Sequence, residues 1–195
     1  KNDFSTIIAI EGGSASGKTT LSEILKTKYN CVVFHMDDFF LQPYQRTPER
    51  LAEVGGNVDY ERFAEEVLMP LQAGKTFSYG VFDCTRQVIG YRVQVPWKRL
   101  NIVEGAYSAH PYLGDSYDLA VFLELEGSLQ RERLLKRNGP VILERFITEW
   151  IPKEKAYFDT FGIRDKCLVY RVEKAQEDLL ISCEKRHFFH LILII

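Results

Sequence analysis

Eight consecutive residues, Gly12-Gly13-Ser14-Ala15-Ser16-Gly17-Lys18-Thr19, constrain the fold more than anything else in the chain. They match G-x-x-x-x-G-K-[ST] in full, the pattern of a phosphate-cradling loop. Such a loop must wrap an anion with successive backbone N–H groups, and glycine permits the positive φ and the close approach this requires. The loop needs a buried strand before it and a helix after it, whose N-terminus points at the anion. Both are present. Residues 4–10 form a continuous apolar, β-branched run, typical of a parallel strand covered on both faces. Residues 18–28 carry Leu21, Ile24 and Leu25 at helical spacing. In this reading Lys18 reaches the β- and γ-phosphates, the Thr19 hydroxyl ligates Mg²⁺, and Thr20 continues the cradle.

Further elements alternate in the same way. Residues 31–36, 100–104, 119–124 and 167–170 read as core strands, and residue 59 starts a helix that runs to about Pro70. Residues 39–56 read as loop, with Pro43, Pro48 and Gly55-Gly56 as breakers. Alternation over residues 77–95 predicts a β-hairpin inserted on the core. A charged helix over 128–136 breaks at Asn138-Gly139-Pro140, and a second over 141–156 bends near Pro152. The expected fold class is α/β: a P-loop NTPase fold with a mostly parallel sheet flanked by helices. One domain spans residues 1–195, with an acceptor-side insertion at about 40–96 and an arginine-bearing lid at about 128–140. The apolar end, residues 187–195, fits a late strand or a tail and receives no function.

Composition narrows the partners. A net charge of -2 and a pI near 6.1 do not call for nucleic acid or an anionic membrane. No apolar run reaches membrane-spanning length, and Lys1-Asn2-Asp3 leads straight into the first strand without a signal peptide. Cys31, Cys84, Cys167 and Cys183 are widely separated, without a C-x-x-C pair, and read as reduced thiols in a cytoplasmic protein. The guanine-specific N-K-x-D pattern is absent, which counts against a GTPase.

Two carboxylate positions complete the candidate site. Asp37-Asp38 follows the second strand, and the carboxyl ends of strands line the ligand crevice of an open α/β sheet. An aspartate there can accept the proton of an attacking hydroxyl or can cap a turn. Periodicity does not say which of the two faces the phosphate. Glu104 ends the strand over 100–104 and is placed to hold Mg²⁺ or its water, or to face solvent. Arg131, Arg133 and Arg137 share one helix and its exit. They can close over a transferring phosphoryl group, or form an ordinary solvated face.

Together, the loop from Gly12 to Thr20, Asp37-Asp38-Phe39-Phe40, Ile102-Val103-Glu104-Gly105 and the arginine segment resemble the uridine kinase and nicotinamide riboside kinase group of P-loop kinases. The similarity covers roughly residues 4 to 170. It implies ATP and Mg²⁺ as cofactors, Asp37 as catalytic base, Lys18 and Thr19 on phosphate and metal, and Glu104 on Mg²⁺. It also implies Asp59 as the acid that holds ribose hydroxyls, although Asp59 is equally a good helix N-cap. Arg133 and Arg137 fall at substrate and lid positions. Tyr79, Phe82 and Arg86 lie where uridine kinases recognise the base, but the histidine expected for uracil is missing; the two rings can stack on a base or belong to the hairpin core. Glu11 stands where relatives often carry a small residue.

The resulting expectation is ATP-dependent phosphorylation of the 5′-hydroxyl of a nucleoside-like small molecule. Two alternatives stand beside it. A nucleoside monophosphate kinase would need a second anion site, which Arg46, Arg50, Arg86 and Arg92 could supply. A nucleotide-binding regulatory protein would keep the loop and lack turnover.

Overall fold

The computed structural model describes residues 5–174 and 179–183. Strand β1 (Thr6–Gly12) leads through the glycine-rich turn into helix α1 (Lys18–Tyr29) and strand β2 (Val32–His35). Two 3-10 turns, Met36–Phe39 and Pro43–Gln45, precede the short helix α2 (Pro48–Ala52). Helices α3 (Tyr60–Phe63) and α4 (Met69–Gln72) are continuous through a π-helical turn, Ala64–Leu68. Strands β3 (Phe77–Asp83) and β4 (Val88–Val95) form the hairpin, followed by β5 (Leu100–Glu104) and β6 (Leu119–Leu125). Helix α5 (Gly127–Arg145) passes through a second π turn, Phe146–Trp150, into α6 (Ile151–Phe161) and α7 (Ile163–Lys166). Strands β7 (Leu168–Lys174) and β8 (Leu179–Cys183) come last among the described residues.

The main sheet has the order β2-β5-β1-β6-β7-β8, parallel from β2 to β7, with β8 antiparallel at the edge. Successive strand residues point to opposite faces. Val33, Ile102, Val121 and Leu123 therefore pack beneath α1 with Leu21 and Leu25. Their neighbours Phe34, Val103 and Phe122 pack on the other face with α3, the hairpin and α6. Burial on both faces explains the continuous apolar runs of the strands. Since β5 lies between β1 and β2, the carboxyl ends of these three strands stand side by side. Glu104 is in register with both Ile10 and His35. The ends carry the glycine-rich turn, Glu104 and the Asp37-Asp38 pair.

The hairpin is bolted to the exit of β2 by aromatic contacts. The Tyr79 ring stacks on Phe39 at 5.4 Å, and Phe77 stacks on Phe34 at 6.1 Å. Phe39 in turn meets Phe63 of α3 edge-on. Buried aromatic pairs of this kind contribute roughly 0.5–1.5 kcal/mol each beyond their area. They hold the Asp37-Asp38 turn in a fixed place.

Several local expectations change. Residues 39–56 are not all loop: Thr47 accepts from the Arg50 N–H as an N-cap, and Pro48 fits the first turn of α2. Strand β1 runs on through Glu11 to Gly12. The break expected at 138–140 is present: Gly139, at φ 76°, ψ 173°, kinks the chain between two helical stretches of Gly127–Arg145. Each π turn precedes a proline, Pro70 or Pro152. Proline cannot donate into the helix and crowds the carbonyl four residues back, so a wider turn relieves it. The edge strand β8 carries no sequence expectation. Residues 187–195 lie outside the described residues. No described helix is long and apolar enough to cross a membrane.

Candidate active site

The glycine-rich turn folds as its sequence requires. Gly12 has φ 143°, and a Cβ there would stand 2.6 Å from the Leu123 carbonyl oxygen of the neighbouring strand. A side chain at this position would push β1 and β6 apart. Lys18 opens α1 with its ammonium folded back over the turn, donating to the Gly12 and Gly13 carbonyls at 2.7 and 2.9 Å. Gly12 and Ser16 are buried under the loop. Ser14, Ala15, Gly17, Thr19 and Thr20 face a cavity of about 1040 Å³.

Asp37 and Glu104 face the same cavity as Lys18 and Thr19. Glu104 is 5 % exposed and accepts from the Thr19 hydroxyl at 3.0 Å, and it lies 2.6 Å from His35 Nδ1. The Glu104 hydrogen bond is the largest influence on His35 and raises the imidazole above its ordinary range. Gly105, directly after Glu104, has φ 143°, with Met36 2.7 Å from where its Cβ would stand. Only glycine lets the β2 and β5 ends approach this closely.

The two aspartates separate cleanly. The Asp37 side chain is exposed at the cavity, with the cleft walls close around it. Desolvation by these walls, with the nearby Glu104 charge, raises its pKa above the ordinary aspartate value, while Lys18, His35 and Arg137 oppose the rise. Asp38 turns to the hairpin instead. Its carboxylate accepts from the Tyr79 hydroxyl at 3.1 Å, and its carbonyl accepts from Arg62 at 2.8 Å.

From the other side, Arg133 and Arg137 of α5 line the cavity. Arg133 donates to the Ala15 carbonyl at 3.2 Å, and the Arg137 guanidinium stands 5.8 Å over the Phe146 ring. Arg131 is exposed outside the lining.

The expected acceptor residues fare differently. Asp59 is 3 % exposed and caps α3 by accepting from the Arg62 N–H; it also accepts from Gln45 and pairs with Arg62 Nε at 3.5 Å. Tyr79, 4 % exposed, belongs to the aromatic core. Phe82 is buried behind Phe40, and Arg86 is exposed on the hairpin turn, outside the cavity lining. Asp59, Tyr79 and Phe82 thus take the cap and core places that the sequence also allows, and Arg86 stands on the hairpin turn.

Two acids were not assigned a role beforehand. Glu154 of α6 is 5 % exposed and takes the Ser14 hydroxyl at 2.5 Å and the Ser14 N–H at 3.0 Å. Glu11, 0 % exposed, accepts from the Gly12 and Ala109 N–H groups at 2.8 and 3.0 Å and from Tyr157 Oη at 3.1 Å. Burial pushes the Glu11 carboxyl up to about 7, against these hydrogen bonds and the Lys18 charge. Glu154 and Tyr157 lie three residues apart on one face of α6, so this helix is anchored on both sides of Gly12-Gly13.

No family model matches the chain. Solved structures do resemble it. A possible uridine kinase from Bacillus stearothermophilus superposes with a TM-score of 0.66 at 21% identity, covering 87% of this chain and 89% of that one. D-glycerate 3-kinase from Cryptococcus neoformans gives 0.60 at 15%, over 92% and 89% of the two chains. Phosphoribulokinase from Rhodobacter spheroides gives 0.54 at 12%, over 88% and 71%. The chain shares the P-loop kinase fold of these structures.

Proposed function

We propose that this protein is an ATP- and Mg²⁺-dependent kinase that transfers the γ-phosphoryl group to a hydroxyl of a small, nucleoside-like molecule. The observation that carries the reading is the convergence of Lys18, Thr19, Glu104, Asp37, Arg133 and Arg137 on one cavity. The named neighbours span uridine, glycerate and phosphoribulose kinases, so they support a hydroxyl acceptor without choosing it. The nucleoside-like part rests on the resemblance of the Asp37-Asp38-Phe39-Phe40 element to the uridine kinase and nicotinamide riboside kinase group. A cytoplasmic setting accompanies this reading, given the free thiols of Cys31, Cys84 and Cys167.

The chemistry asks little covalent work of the protein. The acceptor oxygen attacks the γ-phosphorus, the bond to the β-phosphate oxygen breaks, ADP leaves, and the hydroxyl proton passes to Asp37. Lys18 binds the phosphates, and Arg133 and Arg137 neutralise the charge that spreads over the equatorial oxygens. Thr19 and Glu104 offer a hydroxyl and a carboxylate oxygen 3.0 Å apart, a hard donor pair that suits Mg²⁺. Bound there, the ion would supply positive charge against the terminal phosphates.

ADP release, measured over a panel of hydroxylated acceptors, tests the proposal. Turnover that needs ATP and Mg²⁺, and that disappears in Lys18→Ala and Thr19→Ala while circular dichroism is unchanged, is the expected result. ATP-dependent turnover that survives in either variant overturns it.

A further inference from the structure

We propose that the acceptor carries an oxyanion, a phosphate or carboxylate separate from the reacting hydroxyl, and that Arg46 holds it. This rests on the kinase reading above.

The argument is one of elimination followed by geometry. Neutral nucleosides present a ribose diol and a base, and the residues expected to meet them are engaged elsewhere. Asp59 is the cap of α3, and Tyr79 gives its hydroxyl to Asp38 inside the core. Four arginines could instead bind an anion beside the acceptor. Arg50 is matched with Glu61 by two 2.7 Å contacts and lies 4.0 Å over the Tyr60 ring. Arg92 donates to Ser78 and pairs with Glu66. Arg86 is exposed outside the cavity lining. Arg46 alone of the four lines the cavity that holds Asp37.

Arg46 is also held ready. Its Nε donates to the Leu41 carbonyl at 3.0 Å, and its guanidinium lies 5.7 Å from the Phe82 ring centroid. These two contacts orient the plane. Among the described residues no carboxylate lies within salt-bridge distance of Arg46. Its terminal NH₂ groups are left for a ligand, and a guanidinium edge matches a planar or tetrahedral oxyanion with two parallel hydrogen bonds. In the cavity lining Phe40, Leu41, Asn57, Cys84 and Gln87 are uncharged; Cys84 feels the carboxylates of Asp37 and Asp83, and the Arg46 charge opposes them. Arg46 follows the exit of β2, on the same side as the hairpin, whereas the donor cradle is built from the glycine-rich turn and α5. The anion it reads therefore belongs to the acceptor.

Three acceptor pools decide the matter: neutral nucleosides, hydroxy acids, and sugars or nucleosides that carry a phosphate and a free hydroxyl. Each is assayed for ADP release by the parent protein, Arg46→Ala and Arg46→Lys. The expected result is turnover of an anionic pool in preference to its neutral counterparts. Arg46→Ala should raise KM for that acceptor roughly ten- to hundred-fold, with KM for ATP unchanged and partial recovery in Arg46→Lys. The pool that is used separates carboxylate from phosphate. Preferred turnover of neutral nucleosides, or an Arg46→Ala effect that falls on ATP instead of the acceptor, overturns the inference and leaves the kinase reading intact. ADP release with none of the three pools overturns the kinase reading itself.

Discussion

Ser14 and Glu154, 140 residues apart in the chain, are joined by both donors of the serine: its hydroxyl and its backbone N–H end on one buried carboxylate. The glycine-rich turn is thus tied to the helix that follows the arginine segment. Gln130 of α5 adds a bond to the Ser14 carbonyl at 2.8 Å, and Arg133 one to Ala15. Both α5 and α6 are therefore hydrogen-bonded to the glycine-rich turn.

Removing this tie should loosen the turn and destabilise the protein. A hydrogen bond to a charged group contributes about 1.5–3 kcal/mol net, which in a chain of this size is a fall of roughly 3–10 °C in Tm. Glu154→Ala should show that fall. Glu154→Gln keeps an acceptor for Ser14 and should recover most of it. Because the carboxylate stands at the mouth that receives the phosphates, Glu154→Gln should also bind ADP more tightly than the parent. Calorimetry and nucleotide titration check the two effects, and equal Tm values for parent and Glu154→Ala would show the contact to be idle.

Glu11 predicts a pH signature in stability. Its folded-state carboxyl is raised to about 7 from an ordinary value of 4.5, so the folded protein keeps this proton over a range in which the unfolded chain has lost it. Stability therefore falls as pH rises from about 4.5 to 7, and the penalty is complete above that window. It is on the order of 3 kcal/mol at its limit. Glu11→Gln removes the titration. Its unfolding free energy, measured by denaturant between pH 5 and 8, should depend less steeply on pH than that of the parent. Parallel curves for the two proteins would assign the titration elsewhere.

The difference between what could and could not be read in advance is physical. The phosphate loop is legible because its chemistry is contained in eight neighbouring residues. Glu104 and the aspartate pair are legible because strand ends line the crevice of an open sheet, a rule that needs only strand order. The Ser14–Glu154 bond is not, since nothing in Ile151-Pro152-Lys153-Glu154 marks the acid as different from any on a helical face. Asp59 and Tyr79 were ambiguous for the opposite reason. An aspartate before a helix serves as cap or ligand, and a tyrosine in a hairpin as core or platform. Only burial, which depends on the whole fold, decides between them.

Helix α5 should close on the substrates. Arg133 and Arg137 face the cavity, and Gly139 sits at the kink in a backbone region open essentially to glycine alone. Hydrogen exchange over residues 128–140 should slow when ATP·Mg²⁺ and acceptor are both present, because closure protects the helical N–H groups. Gly139→Ala strains the kink and should lower kcat and change KM together. Identical exchange in free and substrate-loaded protein would leave the arginines as a static wall.

The last prediction separates Asp37 from Asp38. Asp37 faces the cavity beside Lys18 and Glu104, while Asp38 bonds the Tyr79 hydroxyl and has Arg62 on its carbonyl. One is placed for proton transfer, the other for holding the hairpin. Asp37→Asn keeps the shape and removes the proton acceptor, so kcat should fall about 10²–10⁴-fold with little change in ATP affinity. The raised pKa of Asp37 adds a second readout. A base must be ionised to work, so the acid limb of the parent's kcat profile should lie above the pH of an ordinary aspartate and should vanish in Asp37→Asn. Asp38→Asn retains an oxygen for Tyr79 and should cost clearly less activity. Asp38→Ala leaves that buried hydroxyl without its acceptor and should lose about 1–3 kcal/mol of stability instead. Kinetics and unfolding on the same three variants settle the division of labour. If Asp38→Asn is the inactive protein and Asp37→Asn turns over normally, the base has been assigned to the wrong residue. If neither slows, proton transfer to this pair is not part of the reaction.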